Sequence, residues 1–193
     1  RGTNNSYNKT SDSSWGQLMD GSIQNQWDPV LMDYRDYEYL PVGKDNFKNF
    51  LEQGYATNNN ISVAYKTGQS AVRSSINWVE TKGQYPNSKL DKYSYSLGGD
   101  INLQKFTLSS NLSYSKKVIP NLGSNGYTSY DPMYSLLIWS GSDFNILDYK
   151  DNYWLIKDQV QNYTYRSGSN NPYFDKYEKI NMSTRDIFNA DVT

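Results

Sequence analysis

The chain contains no cysteine and no histidine in 193 residues. Without cysteine there is no disulfide framework and no thiolate zinc site. Without histidine there is no Ser-His-Asp or Cys-His relay, and the commonest metal ligand is missing. No run approaches the 18 apolar residues of a membrane-spanning helix. Excess charge is also lacking: 19 basic side chains face 20 acidic ones, for a net charge of -1. That balance gives no electrostatic footprint for nucleic acid, and the aromatic-rich loops lack the basic interleaving of single-strand binders. The first residues, Arg1-Gly2-Thr3-Asn4-Asn5, are polar and have no secretory h-region. These absences favour a protein that is not an enzyme and has no cofactor.

What is present is an unusual mixture. Only 36% of residues are apolar, yet 16% are aromatic and 19 are tyrosine. Disordered chains are poor in aromatics, so that class is excluded.

The chain divides by pattern. Residues 1–57 are polar and turn-rich, read as a loop and a connection into a barrel. Residues 58–116 alternate strongly with period two. Residues 117–178 return to Gly, Asn, Ser and Tyr as a very long loop, with a short helix near 132–140. Residues 179–193 are weakly strand-like, the start of a further strand. In strand 58–66, Ile61, Val63 and Tyr65 share one face, opposite Ser62, Ala64 and Lys66. In strand 71–80, Val72, Ile76 and Trp78 oppose Arg73, Ser75 and Asn77. Strand 93–103 sets Tyr93, Tyr95, Leu97, Gly99, Ile101 and Leu103 against Ser94, Ser96, Gly98, Asp100 and Asn102. Strand 106–116 sets Phe106, Leu108, Leu112 and Tyr114 against Thr107, Ser109, Asn111, Ser113 and Ser115. This is the pattern of strands with two unlike faces.

The connections alternate as well. Thr67-Gly68-Gln69-Ser70 is a short turn, 81–92 a longer loop, Gln104-Lys105 a two-residue hairpin, and 117–178 a long excursion. Outer-membrane barrels have short periplasmic turns and long extracellular loops. On that assignment 58–66 and 93–103 run towards the periplasm, and 71–80 and 106–116 run outwards. Trp78, Tyr93, Tyr95 and Tyr114 then fall near the extracellular interface, and Tyr65 and Phe106 near the periplasmic one, as a membrane girdle. From Phe106 to Tyr114 is about 27 Å at roughly 3.4 Å per residue. Tilted by about 40°, this spans ~21 Å, near the ~25 Å apolar band of such barrels. Lys66, Arg73, Asp100 and Asn102 face the lumen, where an interior plug would meet them. The expected class is all-β: a segment of a large antiparallel transmembrane β-barrel with long extracellular loops and a short loop helix. A soluble carbohydrate-binding β-sandwich is the alternative. It also alternates, but usually carries Lys, Glu and Thr on its wet face, not Ser, Asn and Gly.

Within the loops, Asp131-Pro132 reads as a helix start, with Asp as the cap and Pro at the first helical position. Met133, Leu136, Leu137 and Ser140 follow at helical spacing, as a face packing onto the loops. The long loop carries Tyr127, Tyr130, Trp139, Tyr149, Tyr153 and Trp154, read as exposed. Of these, Tyr127, Tyr130, Trp139, Tyr153 and Trp154 are candidates for contact with ligand or a lid. Asp33 with Asp36, or Glu38 with Glu52, pair carboxylates as a glycosidase does, but in a polar loop where solvated side chains are the simpler reading. Asp143, Asp148 and Asp151 lack calcium-loop spacing.

Several landmarks resemble a family. Trp15-Gly16-Gln17-Leu18-Met19-Asp20-Gly21 resembles the WGxxMDG element of SusC/RagA-type TonB-dependent transporters. Asp45-Asn46-Phe47 through Phe50-Leu51-Glu52-Gln53-Gly54-Tyr55 is similar to the segment before an early barrel strand there, and Asn59-Asn60-Ile61-Ser62-Val63 to the strand's start. Lys82-Gly83 and Pro86-Asn87-Ser88 resemble the next extracellular loop. Asp131-Pro132-Met133-Tyr134 and Asn171-Pro172-Tyr173-Phe174 match two further landmarks, in the same order across residues 15–186. The resemblance implies an importer in the outer membrane of a Gram-negative, Bacteroidetes-like bacterium. It implies a plugged barrel of 22 strands, a SusD-like lipoprotein capping the mouth, and oligosaccharide or oligopeptide as ligand. The TonB complex would act through a plug that this sequence does not contain. Too few strands are present to close a barrel, so the chain is expected to be a fragment of a larger protein.

Overall fold

In a computed structural model, the described residues are 2–3, 5–11, 13, 15–121, 131–164 and 169–193. Two short strands come first, β1 (Gly2–Thr3) and β2 (Ser6–Tyr7), then β3 (Ile23–Asp28), β4 (Asp33–Glu38) and helix α1 (Asn46–Phe50). Four long strands follow: β5 (Tyr55–Lys66), β6 (Ser70–Lys82), β7 (Lys89–Leu103) and β8 (Phe106–Ile119). Helix α2 (Pro132–Tyr134) runs into a π-helical turn (Ser135–Trp139), and a 3-10 turn (Ile146–Tyr149) comes next. The last elements are β9 (Trp154–Ile156), β10 (Val160–Gln161), helix α3 (Pro172–Tyr177) and β11 (Ser183–Val192). The chain separates into two units. A sheet unit comprises Gln53–Gln84, Ser88–Leu122 and Asn181–Thr193; a loop unit comprises Arg1–Glu52, Tyr85–Asn87 and Gly123–Ile180.

The sheet unit is an antiparallel five-stranded sheet in the order β11-β8-β7-β6-β5. The two tight turns fix its register. Thr67 N–H donates to Ser70 O at 2.7 Å. Gln104 takes a positive φ of 30°, and Leu103 pairs with Phe106 across the two-residue hairpin. The apolar set of each strand lands on one face and the polar set on the other, as the alternation predicts. Residues 179–193 supply β11, which pairs with β8 from Ser183↔Ile119 to Val192↔Ser110.

The strands run further than alternation indicates. β6 reaches Lys82 and β7 begins at Lys89, so the loop predicted over 81–92 shrinks to 83–88. Alternation of apolar residues stops at Trp78 and Tyr93, but a backbone ladder does not require apolar side chains. Charges carry the pairing instead: Lys89 Nζ lies 3.7 Å from Glu80 and 3.2 Å from Asp91. Tyr55 Oη donates to Glu80 at 2.9 Å, and Gly83 N–H donates to Ser88 O at 2.8 Å.

The loop unit is organised differently. Its core is largely aromatic: Trp27, Phe50, Leu136, Phe144, Ile146, Tyr149, Tyr163 and Tyr173. Side-chain amides tie its turns together. Buried Asn162 accepts from Trp27 Nε1 at 2.8 Å and donates to Pro29 O at 2.8 Å and Asn152 O at 2.7 Å. Buried Asn46 donates to Phe144 O and accepts from Ile146 N–H, both at 2.8 Å. Gly43 sits beneath this clamp, where a Cβ would come within 1.8 Å of Phe144 O. No side chain larger than hydrogen fits there.

Three short helices begin on the same device. Asp131, Asn145 and Asn171 each accept the N–H two residues on, from Met133, Leu147 and Tyr173. The start at Asp131-Pro132 is therefore as predicted. The predicted apolar face is not. Leu136 is buried, but Met133 and Leu137 are 44% and 54% exposed. The cause is the π-helical turn, whose i→i+5 bonding turns each residue through a smaller angle than an α-helix and breaks the i, i+3, i+4 alignment. Ser140 Oγ caps it by donating to Ser135 O at 2.8 Å. Residues 1–57, read as turn-rich, also contain the β3–β4 hairpin. Tyr149, read as exposed, is fully buried, edge-on to Phe144 and Tyr163.

Candidate functional site

The first candidate is the apolar face of the sheet. Directly paired residues point to the same side. Successive rows therefore read Leu103/Phe106, then Ile101/Leu108, then Tyr65/Val72/Gly99/Ser110/Val192. Val63/Ser74/Leu97/Leu112/Ala190 and Ile61/Ile76/Tyr95/Tyr114/Phe188 follow, and the next row is Asn59/Trp78/Tyr93/Lys116/Asp186. Aliphatic rows thus lie between Phe106 and Tyr65 at the tight-turn end and Trp78, Tyr93, Tyr95 and Tyr114 at the other. All six predicted girdle residues fall on this face. Phe188 joins them; it lies in the weakly alternating last segment.

Nothing among the described residues covers this face. Val63 is 66% exposed, Phe106 76% and Phe188 64%. Beyond the aromatic row the same face turns charged, with Glu80, Asp91, Lys116 and Asp186. Tyr114 points its hydroxyl that way and donates to Asp186 Oδ1 at 2.6 Å. That is how an amphipathic ring sits at a boundary, body in the apolar band and tip in the polar zone.

The opposite face carries Lys66, Arg73, Asp100 and Asn102 together, as the parity predicts. Its side chains hydrogen-bond along the sheet. Arg73 Nη2 donates to Asn111 Oδ1 at 2.9 Å, Arg73 Nη1 lies 3.8 Å from Asp100, and Asn111 Nδ2 donates to Asp191 at 3.0 Å. Ser75 and Ser96 hydroxyls are 2.7 Å apart, and Asn77 donates to Asn58 at 2.7 Å. Gly98 makes the Arg73 bond possible: a Cβ there would meet Asn111 Oδ1 at 2.7 Å and Arg73 Nε at 2.9 Å. The Arg73 side chain passes over a position with no side chain.

The loop aromatics are mostly engaged with one another. Tyr153 stacks on Tyr177, centroids 5.8 Å apart and planes at 19°, and burial pushes its hydroxyl pKa up, with Glu178 adding to the shift. Trp154 Nε1 donates to Glu178 at 3.1 Å, with its ring edge-on to Phe174. Trp139 is the most open, 38% exposed and edge-on to Tyr134. Tyr127 and Tyr130 lie outside the described residues.

The loop unit also holds a cleft of about 660 Å³ between the β3–β4 hairpin and the 143–148 segment. Sequence reading did not find it. Its walls include Pro29, Val30, Val42 and Phe144, with Asp28, Glu38, Asp143 and Asp148 among the lining carboxylates. Asp28 is fixed: it accepts from Val30 N–H, Leu31 N–H and, at 2.6 Å, Tyr37 Oη. Burial opposes its ionisation, but Tyr37 and the two amides outweigh burial and hold its pKa below the usual carboxylate value. Asp148 goes the other way, pushed up by burial and then by the Asp28 charge. Of the carboxylates paired in sequence, Asp33 bonds Arg35 at 3.3 Å and Asp36 accepts from Asn25 at 2.9 Å. Among the described residues no three acidic side chains converge on a metal position.

The chain matches no family model and no curated protein.

Proposed function

We propose that this chain is a wall-and-loop segment of a TonB-dependent importer of the SusC/RagA type, in the outer membrane of a Gram-negative bacterium. The carrying observation is the uncovered five-stranded sheet, apolar and aromatic-banded on one face and hydrogen-bonded on the other. Water disfavours so large a contiguous apolar surface. A soluble sandwich hides such a face under a second sheet, and here the face is exposed. Lipid on one side and a hydrated interior on the other suit it. The outer edges of β5 and β11, unpaired among the described residues, must find further strands, because lipid satisfies no backbone N–H or C=O.

In this reading the chain performs no chemistry. The sheet holds a passage open, Lys66, Arg73, Asp100 and Asn102 face its interior, and a plug there transmits the work of the TonB complex. The loop unit lies on the outer surface, beside a SusD-like lipoprotein that delivers oligosaccharide or oligopeptide. The test is fractionation of the native protein. It should stay with the outer membrane through salt and alkaline washes and leave only with detergent. Release into plain buffer would overturn the proposal and favour the carbohydrate-binding sandwich.

A further inference from the structure

We infer that the loop-unit cleft binds a lysine or arginine side chain of a short peptide, with the aliphatic stem on the cleft wall and the cation among its carboxylates. The cleft lies wholly within one unit, so this reading stands whether or not the sheet faces lipid.

The argument turns on what the cleft offers and what it withholds. A sugar ring is recognised by an open aromatic face together with hydrogen-bonding groups. Two of the three aromatic residues lining the cleft present no such face, Trp27 being 9% exposed and Phe144 6%; the third, Tyr37, is 42% exposed. The Trp27 N–H already donates to Asn162, and the Tyr37 hydroxyl to Asp28. The most open apolar surface is aliphatic, with Val30 58% and Val42 59% exposed. Long basic side chains bury their methylenes on such surface while keeping the charged head in polar surroundings.

Charge points the same way. Among the described residues, four carboxylates line the cleft and no lysine or arginine does. The guanidinium acting on Asp28 is that of Arg35, which lies 3.3 Å from Asp33. Burial first, and the Asp28 charge second, push the Asp148 pKa up. An incoming cation offsets the negative charge that Asp28 places beside Asp148. A bare metal ion does not fit as well, since no three of these carboxylates converge among the described residues.

Titration of the full chain with N-acetyl-Leu-Lys-Leu-amide, followed by calorimetry, tests the inference. The control is the same peptide with its lysine Nε-acetylated, and maltotriose stands for a neutral glycan. The lysine peptide should bind at least about tenfold tighter than its acetylated form, and raising salt should weaken it. Asp148→Asn and Glu38→Gln, neither of which holds a backbone turn, should each weaken binding about threefold, as for exposed charges. Val42→Lys should abolish binding by filling the cleft with a cation of its own. Equal affinity for the two peptides, tighter binding of maltotriose, or no heat at millimolar peptide would overturn the inference. A variant that loses binding together with its aromatic circular dichroism is replaced by Val42→Lys, which leaves every carboxylate in place. A need for detergent reports on the importer reading and the peptide ratio on the cleft, so the two fail separately.

Discussion

The sheet unit and the loop unit use aromatic residues in opposite ways. In the sheet they stand exposed on one face, in bands near the ends of the strands, and contribute nothing to a buried core. In the loop unit Tyr149, Tyr163, Tyr173 and Phe50 turn inwards and pack edge-on or tilted against each other. On the proposed reading, one composition serves two solvents. The loop unit folds around an aromatic core, whereas the sheet is held by its backbone ladder and leaves its apolar face exposed.

The comparison is broken most strongly from the loop side. Phe50→Ala removes a ring that is 1% exposed and packed on Tyr173 and Tyr85. It should cost the loop unit about 3–5 kcal/mol, read as lost aromatic circular dichroism, while the sheet keeps its strand signal. Equal loss in both units would mean that they do not fold separately.

On the sheet side, Leu112→Arg should cost about 2–4 kcal/mol in a bilayer, as charge near the middle of an apolar band does. Ser113→Arg, one residue on and on the opposite face, should cost under about 1 kcal/mol by the same urea titration in vesicles. Similar costs for both would remove the distinction between the faces. A smaller effect is expected for Asn162→Ala, which leaves the Trp27 N–H and two carbonyls without this partner. A loss of about 2 kcal/mol in loop-unit melting is predicted, against no change in the sheet.

The smallest effect is a pH slope. Burial raises the pKa of Asp175, and the Lys179 and Asn170 contacts only partly offset it. The folded state then holds the proton more tightly than the unfolded chain. Stability of the loop unit should fall as pH rises from the ordinary value of 3.8 through the raised one, and level off above it. Asp175→Asn should flatten that slope. A slope unchanged in the variant would assign it to another group.

The sheet was legible in sequence because every step of β7 and β8 carries a choice between two faces. Tyr93 to Leu103 alternates without a break, and two tight turns leave the register no freedom. The ends of β6 and β7 were not legible, since Glu80, Asp91 and Lys89 extend the ladder with charge where the apolar signal has ended. The β3–β4 hairpin was hidden for another reason. Ile23–Asp28 and Asp33–Glu38 carry polar residues on both faces and show no clean alternation, and the anchor of Trp27 is Asn162, 135 residues away. The Asn171-Pro172 helix start had the same signature as Asp131-Pro132 and was readable by the same rule. The π-helical turn left no mark, as its winding follows from packing. The cleft was unreadable because its walls come from residues near 28, 42 and 145, brought together only by folding.

The central claim is that the two faces of the sheet meet different media. The chain has no cysteine, so single cysteines placed along β7 can each carry one spin label. Labels at Leu97, Ile101, Ser96 and Asn102, in the protein reconstituted into vesicles, would be relaxed by oxygen and by a water-soluble nickel complex. The account predicts oxygen access at 97 and 101 and nickel access at 96 and 102, alternating with a period of two residues. Nickel access at Leu97 and Ile101, or no alternation between the faces, would contradict it.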